Sequence, residues 1–67
     1  MNNKKKALDN AKARYEAEGY AVFTTESAVF ATKGIYEVWE VYHEDGSQRN
    51  ISNYKNGEQH GEYKSWY

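Results

Sequence analysis

Gly34-Ile35-Tyr36-Glu37-Val38-Trp39 is echoed 27 residues later by Gly61-Glu62-Tyr63-Lys64-Ser65-Trp66, and both copies have the pattern Gly-x-Tyr-x-x-Trp. Two turn sequences lie between the copies, Tyr42-His43-Glu44-Asp45-Gly46 and Tyr54-Lys55-Asn56-Gly57. Aromatic residues separated by glycine at regular intervals are typical of stacked β-hairpins. The repeat therefore predicts an antiparallel β-sheet in the second half of the chain.

Strand signals lie before the repeat as well as within and between its two copies. Five segments of strand-like composition are bounded by turn residues, and they span residues 20–25, 28–33, 35–43, 48–54 and 60–67. Glu26-Ser27 and Gly34 predict the first two connections. Asp45-Gly46 is a good hairpin dipeptide, and Asn56-Gly57 is the strongest short hairpin signal. Together these segments predict a β-meander of about five strands.

The N-terminal segment, residues 4–18, is predicted to form a helix. It contains good helix formers and no glycine. Leu8, Ala11 and Tyr15 recur at helical spacing and form a narrow apolar stripe, and Gly19 is a natural residue to end the helix. Since the stripe is thin, we expect the helix to lie on one face of the sheet.

The strand predicted at residues 35–43 has apolar side chains on both faces. Alternation places Tyr36, Val38 and Tyr42 on one face and Ile35, Trp39 and Val41 on the other. One face packs on the helix, and the other is covered by something else or stays exposed. The predicted fold class is α+β in a single domain, with a helix within residues 1–19 and an antiparallel meander of about five strands over residues 20–67.

Composition limits how this core can be built. The chain has 67 residues, no Cys and no Pro, with seven Tyr, two Trp and two Phe. A domain this short buries only about 60% of its unfolded surface. Aliphatic residues are few, so we expect aromatic side chains to supply the core. We also expect oligomerisation or a partner to add stability.

Charge is distributed unevenly along the chain. The net charge is −1, with five basic and three acidic groups in residues 1–18 and four basic and seven acidic groups in residues 19–67. An acidic sheet argues against phosphate binding. Lys4-Lys5-Lys6 is consistent with a solvated helix start or with a targeting or nucleic-acid tail. No apolar segment follows these lysines, which predicts no signal peptide, no membrane span and a cytoplasmic location.

Residues 54–67, Tyr-Lys-Asn-Gly-Glu-Gln-His-Gly-Glu-Tyr-Lys-Ser-Trp-Tyr, contain a tyrosine, an Asn-Gly turn, a second glycine and closing aromatics. This stretch resembles the variant MORN repeat (membrane occupation and recognition nexus) of bacterial, antitoxin-like proteins, and residues 34–46 fit a looser copy. The resemblance, over residues 34–67, implies a stacked-hairpin scaffold for protein or, in some members, lipid contacts. It implies no catalytic residues. Together with the small size, it suggests an accessory protein of bacteria or phages, such as an anti-defence inhibitor that occludes a partner enzyme.

The sequence offers little that points to catalysis or to a cofactor. His43-Glu44-Asp45 is the one local cluster of possible metal ligands, and it falls in a predicted turn where charged residues are common. The serines lie in turns or strands without a strained elbow, and the five glycines are too dispersed for a phosphate-binding loop. We therefore predict no catalytic, cofactor or metal site and no enzymatic activity.

Several aromatic residues are candidates for partner contacts. Trp and Tyr are enriched at binding hot spots, and the candidates are Trp39, Tyr63, Trp66 and Tyr67. The strand predicted at residues 61–67 has an outer edge that can pair with a second copy in a homodimer or with a target protein. In the other arrangement Trp66 folds under the sheet beside Trp39. Alternative functions are nucleic-acid binding through residues 4–6 and an aromatic sheet face, and an orphan repeat unit that only self-assembles.

Overall fold

The computed structural model describes residues 3–61 and 64–65. It has one helix followed by an antiparallel sheet, an α+β fold, as the sequence predicts. The elements are α1 Asn3–Ala17, β1 Ala21–Thr24, β2 Ala28–Lys33, β3 Tyr36–Tyr42, β4 Gln48–Lys55, β5 Glu58–Gln59 and β6 Lys64–Ser65.

The sheet is a meander in which each strand from β1 to β5 pairs with the next along the chain, whereas β6 returns to pair with β4. Strands β1 to β4 are antiparallel neighbours in order, and β5 and β6 both pair with the outer edge of β4. The prediction of a single strand at residues 60–67 is therefore wrong: the described residues form two short strands, β5 and β6. Pairing starts earlier, at Glu58, and is interrupted at a bend at Gly61, where φ is 82°. Positive φ is incompatible with an extended strand, so the last strand is split in two.

The helix ends in two hydrogen bonds that satisfy its last carbonyl groups. The amide of Gly19 donates to the Glu16 carbonyl at 3.0 Å, and the amide of Tyr20 donates to the Tyr15 carbonyl at 3.0 Å. This pair of bonds is the Schellman motif. The rings of Tyr15 and Tyr20 meet edge to face with centroids 5.4 Å apart, which supplies the apolar contact that accompanies the motif. The predicted end of the helix at Gly19 is confirmed.

The Asn56-Gly57 turn has the conformation that its sequence predicts. Asn56 has φ 56° and Gly57 has φ 80°, the positive values that a type I′ turn requires at both central positions. Lys55 and Glu58 are register partners on either side of the turn. The predicted two-residue hairpin is confirmed.

The β3–β4 connection is longer than a two-residue hairpin. The amide of Gly46 donates to the His43 carbonyl at 3.0 Å, and the amide of His43 donates to the Ser47 carbonyl at 2.8 Å. Asp45 accepts hydrogen bonds from the Ser47 hydroxyl and amide, which hold the pKa of its carboxyl below the usual value. Gly46, at φ 90°, lies against the first residue of α1, since a Cβ there would be 2.8 Å from the Asn3 carbonyl oxygen.

The core lies between α1 and the sheet and is built mainly from small apolar side chains. Leu8, Ala11 and Val29 form its buried centre, with Tyr15, Val22 and Tyr42 packed against it. The predicted helix stripe is thus confirmed. The expectation that aromatic residues supply the core is wrong for the described residues, where aromatic side chains only border it. No aromatic residue among residues 3–61 and 64–65 is fully buried. Small side chains at buried positions such as Ala31 and Val38 allow the helix to lie close to the sheet.

The start of the helix also differs from the solvated lysine run expected. Lys4 is 5% exposed, and its ammonium donates to Glu44 Oε1 at 2.6 Å and Ser27 Oγ at 3.4 Å. Lys5 and Lys6 are exposed. The β3–β4 loop brings Glu44 over this end of the helix, so the burial of Lys4 is set by tertiary structure. The one helix of the described residues lacks the length and apolarity that spanning a bilayer requires.

Candidate binding surface

The sheet presents one of its two faces to the helix. Val38, Glu40 and Tyr42 point toward α1, and Trp39 and Val41 point away, as alternation along the strand predicts. No helix or strand within residues 3–61 and 64–65 packs on this second side. We call it the open face.

Three aromatic residues cross the open face in one row. Phe23 on β1 is the register partner of Phe30 on β2, and Phe30 is the partner of Trp39 on β3. The rings of Phe30 and Trp39 have centroids 4.3 Å apart and planes inclined at 36°. Cross-strand aromatic pairs of this kind stabilise a sheet surface. We call Phe23, Phe30 and Trp39 the aromatic row.

The aromatic row is accessible from solvent. Phe23 is 65% exposed and Trp39 is 38% exposed, while Phe30 between them is half-buried. Beyond Trp39 the row ends, because the register partner of Trp39 on β4 is Ser52. Ser52 is 6% exposed. A contiguous exposed row of large apolar side chains is the type of surface that marks an interaction site.

The electrostatics of the open face are unlike those of a nucleic-acid site. Among the described strand residues with a register partner on this face, Glu37 is the charged one, and none is Lys or Arg. Stacking proteins combine aromatic side chains with a basic groove that follows the phosphates. The alternative function of nucleic-acid binding combines an aromatic sheet face with Lys4–Lys6. Those lysines lie on α1, which packs on the opposite face of the sheet.

The structure places one of the four predicted contact residues in the aromatic row. Trp39 is exposed on the open face, whereas Tyr63, Trp66 and Tyr67 lie outside the described residues, as does the predicted packing of Trp66 beside Trp39. Sequence reasoning missed Phe23 and Phe30 as surface residues. Their signal was present, because a two-residue turn at Glu26-Ser27 sets them opposite each other.

The main polar cluster of the core lies on the helix side of the sheet and is centred on one buried carboxylate. Glu40 is 2% exposed and accepts hydrogen bonds from Arg14 at 3.2 and 2.9 Å and from the hydroxyls of Tyr15 and Tyr42. Burial and the hydrogen bond to Glu40 raise the pKa of Tyr42 to about 12, and the same causes raise that of Tyr15. Both phenols stay protonated at neutral pH, so the cluster acts as a structural bridge between α1 and β3.

The turn cluster at residues 43–45 does not converge on one point. Glu44 bonds Lys4, and Asp45 bonds Ser47. Over the described part of the chain, no group of three or more His, Cys, Asp and Glu side chains is arranged to hold a metal ion. A shallow pocket of about 360 Å³ beside the helix start is lined by both signs of charge, including Lys4, Lys5, Asp9 and Glu26. Its mixed lining selects no class of ligand.

Comparison of the chain with protein-family models, curated proteins and solved structures finds no match. The resemblance of residues 34–67 to the variant MORN repeat therefore stays a prediction.

Proposed function

We propose that the protein is a non-catalytic module that binds a partner protein through the open face. The aromatic row supplies the anchors of the contact, and Trp39, on the middle strand of the sheet, is the main one. The observation that carries this proposal is the exposure of Phe23 and Trp39 in a chain with little apolar core. A short domain gains most by burying such side chains, so leaving them on one surface is costly unless that surface is used.

The size of the open face supports a protein partner. The molecule measures 36 × 26 × 15 Å, so its two long dimensions leave room for the roughly 800 Å² that each side of a standard protein interface buries. Covering an exposed Phe or Trp ring contributes roughly 2–3 kcal/mol at about 25 cal/mol per Å². Two or three such rings can supply the central anchors of a contact, and the rest of the face supplies the remaining buried area.

The mode of action we propose is occlusion of the partner's surface, in the cytoplasm. A sheet face that carries exposed aromatic side chains covers a partner's surface over a broad area. The proposal that it is an inhibitory accessory protein, such as a phage anti-defence protein, rests on small size and on the MORN-like pattern of residues 34–67. The centres of protein interfaces are typically rich in aromatic residues and poor in charged residues.

Capture from a nuclease-treated bacterial lysate tests this proposal. The immobilised proteins are the parent, Trp39→Ser and the control Tyr36→Ser, each checked for an unchanged circular dichroism spectrum. Tyr36 is a matched control because it is an aromatic residue 44% exposed on the helix side of the sheet. We expect one stoichiometric protein on the parent and on Tyr36→Ser and none on Trp39→Ser. Equal capture by Trp39→Ser, or recovery only of salt-sensitive nucleic acid, contradicts the proposal.

A further inference from the structure

One edge of the sheet has no neighbouring strand among the described residues. The edge belongs to β1, Ala21–Thr24, which pairs with β2 on one side only. At the other end of the sheet, the outer side of β4 is occupied by β5 and β6. The free edge of β1 is therefore available for pairing with another strand.

The hydrogen-bonding groups on this edge follow from the register. The amide of Thr25 donates to the Ala28 carbonyl at 2.8 Å, so residue 25 faces β2. Since the direction of the backbone groups alternates in an antiparallel pair, Ala21 and Phe23 also face β2. Val22 and Thr24 then direct their N–H and C=O groups away from the sheet, one on each side of Phe23.

This edge lacks charge and proline, two of the features by which proteins prevent strand addition. Ala21–Thr24 contains no Pro and no charged residue. Natural edges are protected by charge, Pro, bulges or very short strands. The opposite end of the sheet has such protection, because β5 and β6 are two residues each, carry Glu58 and Lys64, and are separated by the bend at Gly61.

We propose that two copies of this chain pair through β1 as an antiparallel, two-fold symmetric dimer centred on Phe23. Val22 of each copy exchanges both backbone hydrogen bonds with Thr24 of the other. Phe23 then lies directly opposite Phe23 of the second copy in a non-hydrogen-bonded pair, where side chains are closest and the Cα atoms are about 4.5 Å apart. The interface is isologous, as a two-fold requires.

The dimer buries the most exposed large apolar side chain of the chain's described part. Phe23 is 65% exposed in the monomer. Directly opposite residues share a face in an antiparallel pair, so Phe23 of both copies lies on the open face. The aromatic row then runs without a break across both subunits, from one Trp39 to the other. Both helices lie on the other side of the enlarged sheet.

The flank of α1 above this edge is compatible with a second copy. Arg14 reaches toward β3, so the opposite flank faces β1, and Lys5 and Asp9 indeed line a pocket with Thr24. Exposed residues at this helical angle are Lys5, Asp9, Lys12 and Glu16. The flank carries no net charge. A two-fold sets the helices antiparallel, so the basic start of one flank lies toward the acidic end of the other.

A second copy fits this edge better than a strand from a flexible peptide. The edge of the second copy is already ordered by its own β2 and α1, whereas a flexible segment loses conformational entropy when it becomes a strand. Only a second copy also brings an identical Phe23 to the symmetry centre. The inference is independent of the proposed partner, because dimerisation is measured on the purified chain alone.

Thr24→Pro tests the dimer with little change to the monomer. Proline removes the outward N–H of residue 24, and its fixed φ is tolerated on an edge strand whose N–H faces solvent. Thr24→Val keeps the N–H and is the matched control. In sedimentation experiments up to about 1 mM, we expect the parent and Thr24→Val to dimerise, and Thr24→Pro to raise the dissociation constant at least about tenfold. A monomeric parent, or a dimer that Thr24→Pro leaves unchanged, overturns the proposal.

Amide exchange locates the interface directly. At high protein concentration the amides of Val22 and Thr24 are expected to become protected, while those of Ala21 and Phe23 are protected at all concentrations. Dilution restores fast exchange at Val22 and Thr24 alone. A dimer in which these two amides exchange at the same rate as in the monomer uses another surface, and the assignment to β1 is then wrong.

Discussion

Arg14 on α1 donates hydrogen bonds to both carboxylate oxygens of Glu40 on β3, at 3.2 and 2.9 Å. The Glu40 side chain is 2% exposed, whereas that of Arg14 is 58% exposed. The charge that the core encloses is thus balanced by a side chain that still reaches water. This contact, with the hydroxyls of Tyr15 and Tyr42, ties the helix to β3, while its main packing is on β1 and β2.

A double-mutant cycle is expected to reveal coupling between these two residues. Removing one partner of a buried pair leaves an uncompensated charge, so Arg14→Met should cost roughly 1–3 kcal/mol, reduced by the exposure of Arg14. In the Glu40→Gln background the same change should cost under about 1 kcal/mol. Urea unfolding of the four proteins gives these values. Equal costs in both backgrounds would show that the pair is not coupled.

Alkaline pH is expected to destabilise the fold through Tyr42. Its folded-state pKa of about 12 lies above the ordinary value of 10. The stabilisation is therefore fully present below about pH 10 and is lost as the pH rises from 10 to 12, because the unfolded chain releases the proton first. Chemical unfolding at successive pH values measures this decline.

The pH profile of Tyr42→Phe isolates the contribution of that phenol. The variant loses a hydrogen bond to Glu40 at every pH, but its free energy of unfolding should fall less steeply between pH 10 and 12 than that of the parent. Parallel profiles would mean that other groups cause the alkaline loss.

Two glycines at positive φ provide a matched pair for the helix–loop contact. Gly46 has φ 90° and Gly57 has φ 80°, so replacing either by Ala costs about 1–2 kcal/mol for the backbone conformation. Only at Gly46 would the new Cβ collide with backbone, 2.8 Å from the Asn3 carbonyl oxygen, while nothing lies within 4 Å at Gly57. Thermal melting should show Gly46→Ala to be the less stable variant, and equal stability would argue against close contact between the loop and α1.

Leu8 is expected to be the largest single apolar contribution of the helix. It is 6% exposed at the centre of the core, and Leu→Ala at such a site costs roughly 2–5 kcal/mol. Lys6→Ala, at an exposed position on the same helix, is the control and should change stability by under about 0.5 kcal/mol. A loss below about half a kcal/mol for Leu8→Ala would place the helix away from the sheet.

Local signals made the hairpins predictable from sequence. The predicted strand at residues 28–33 has the bounds observed, because Glu26-Ser27 and Gly34 mark both of its ends. Asn56-Gly57 likewise predicted the tight turn between β4 and β5, because Asn and Gly readily adopt the positive φ that this turn requires. Knowledge of the first turn also sets Phe23 opposite Phe30. Since Trp39 was predicted as a contact residue, all three members of the aromatic row were accessible to sequence reasoning.

Interactions between distant residues were beyond sequence reasoning. Glu40 looks like a solvent-exposed strand residue until Arg14, 26 positions away, is placed over it. Lys4 is buried only because Glu44, 40 positions away, lies over the helix start. The small core likewise depends on how closely α1 approaches the sheet, and composition alone assigned that core to aromatic residues.

Titration calorimetry with the captured protein tests most directly whether the open face is the binding surface. The parent, Trp39→Ser and Tyr36→Ser are each titrated into the purified partner. If Trp39 is a central anchor, its removal should weaken binding at least about tenfold, since a hot-spot residue contributes about 2 kcal/mol or more, while Tyr36→Ser should bind as tightly as the parent. Unchanged affinity for Trp39→Ser, or equal weakening by Tyr36→Ser, would contradict the account.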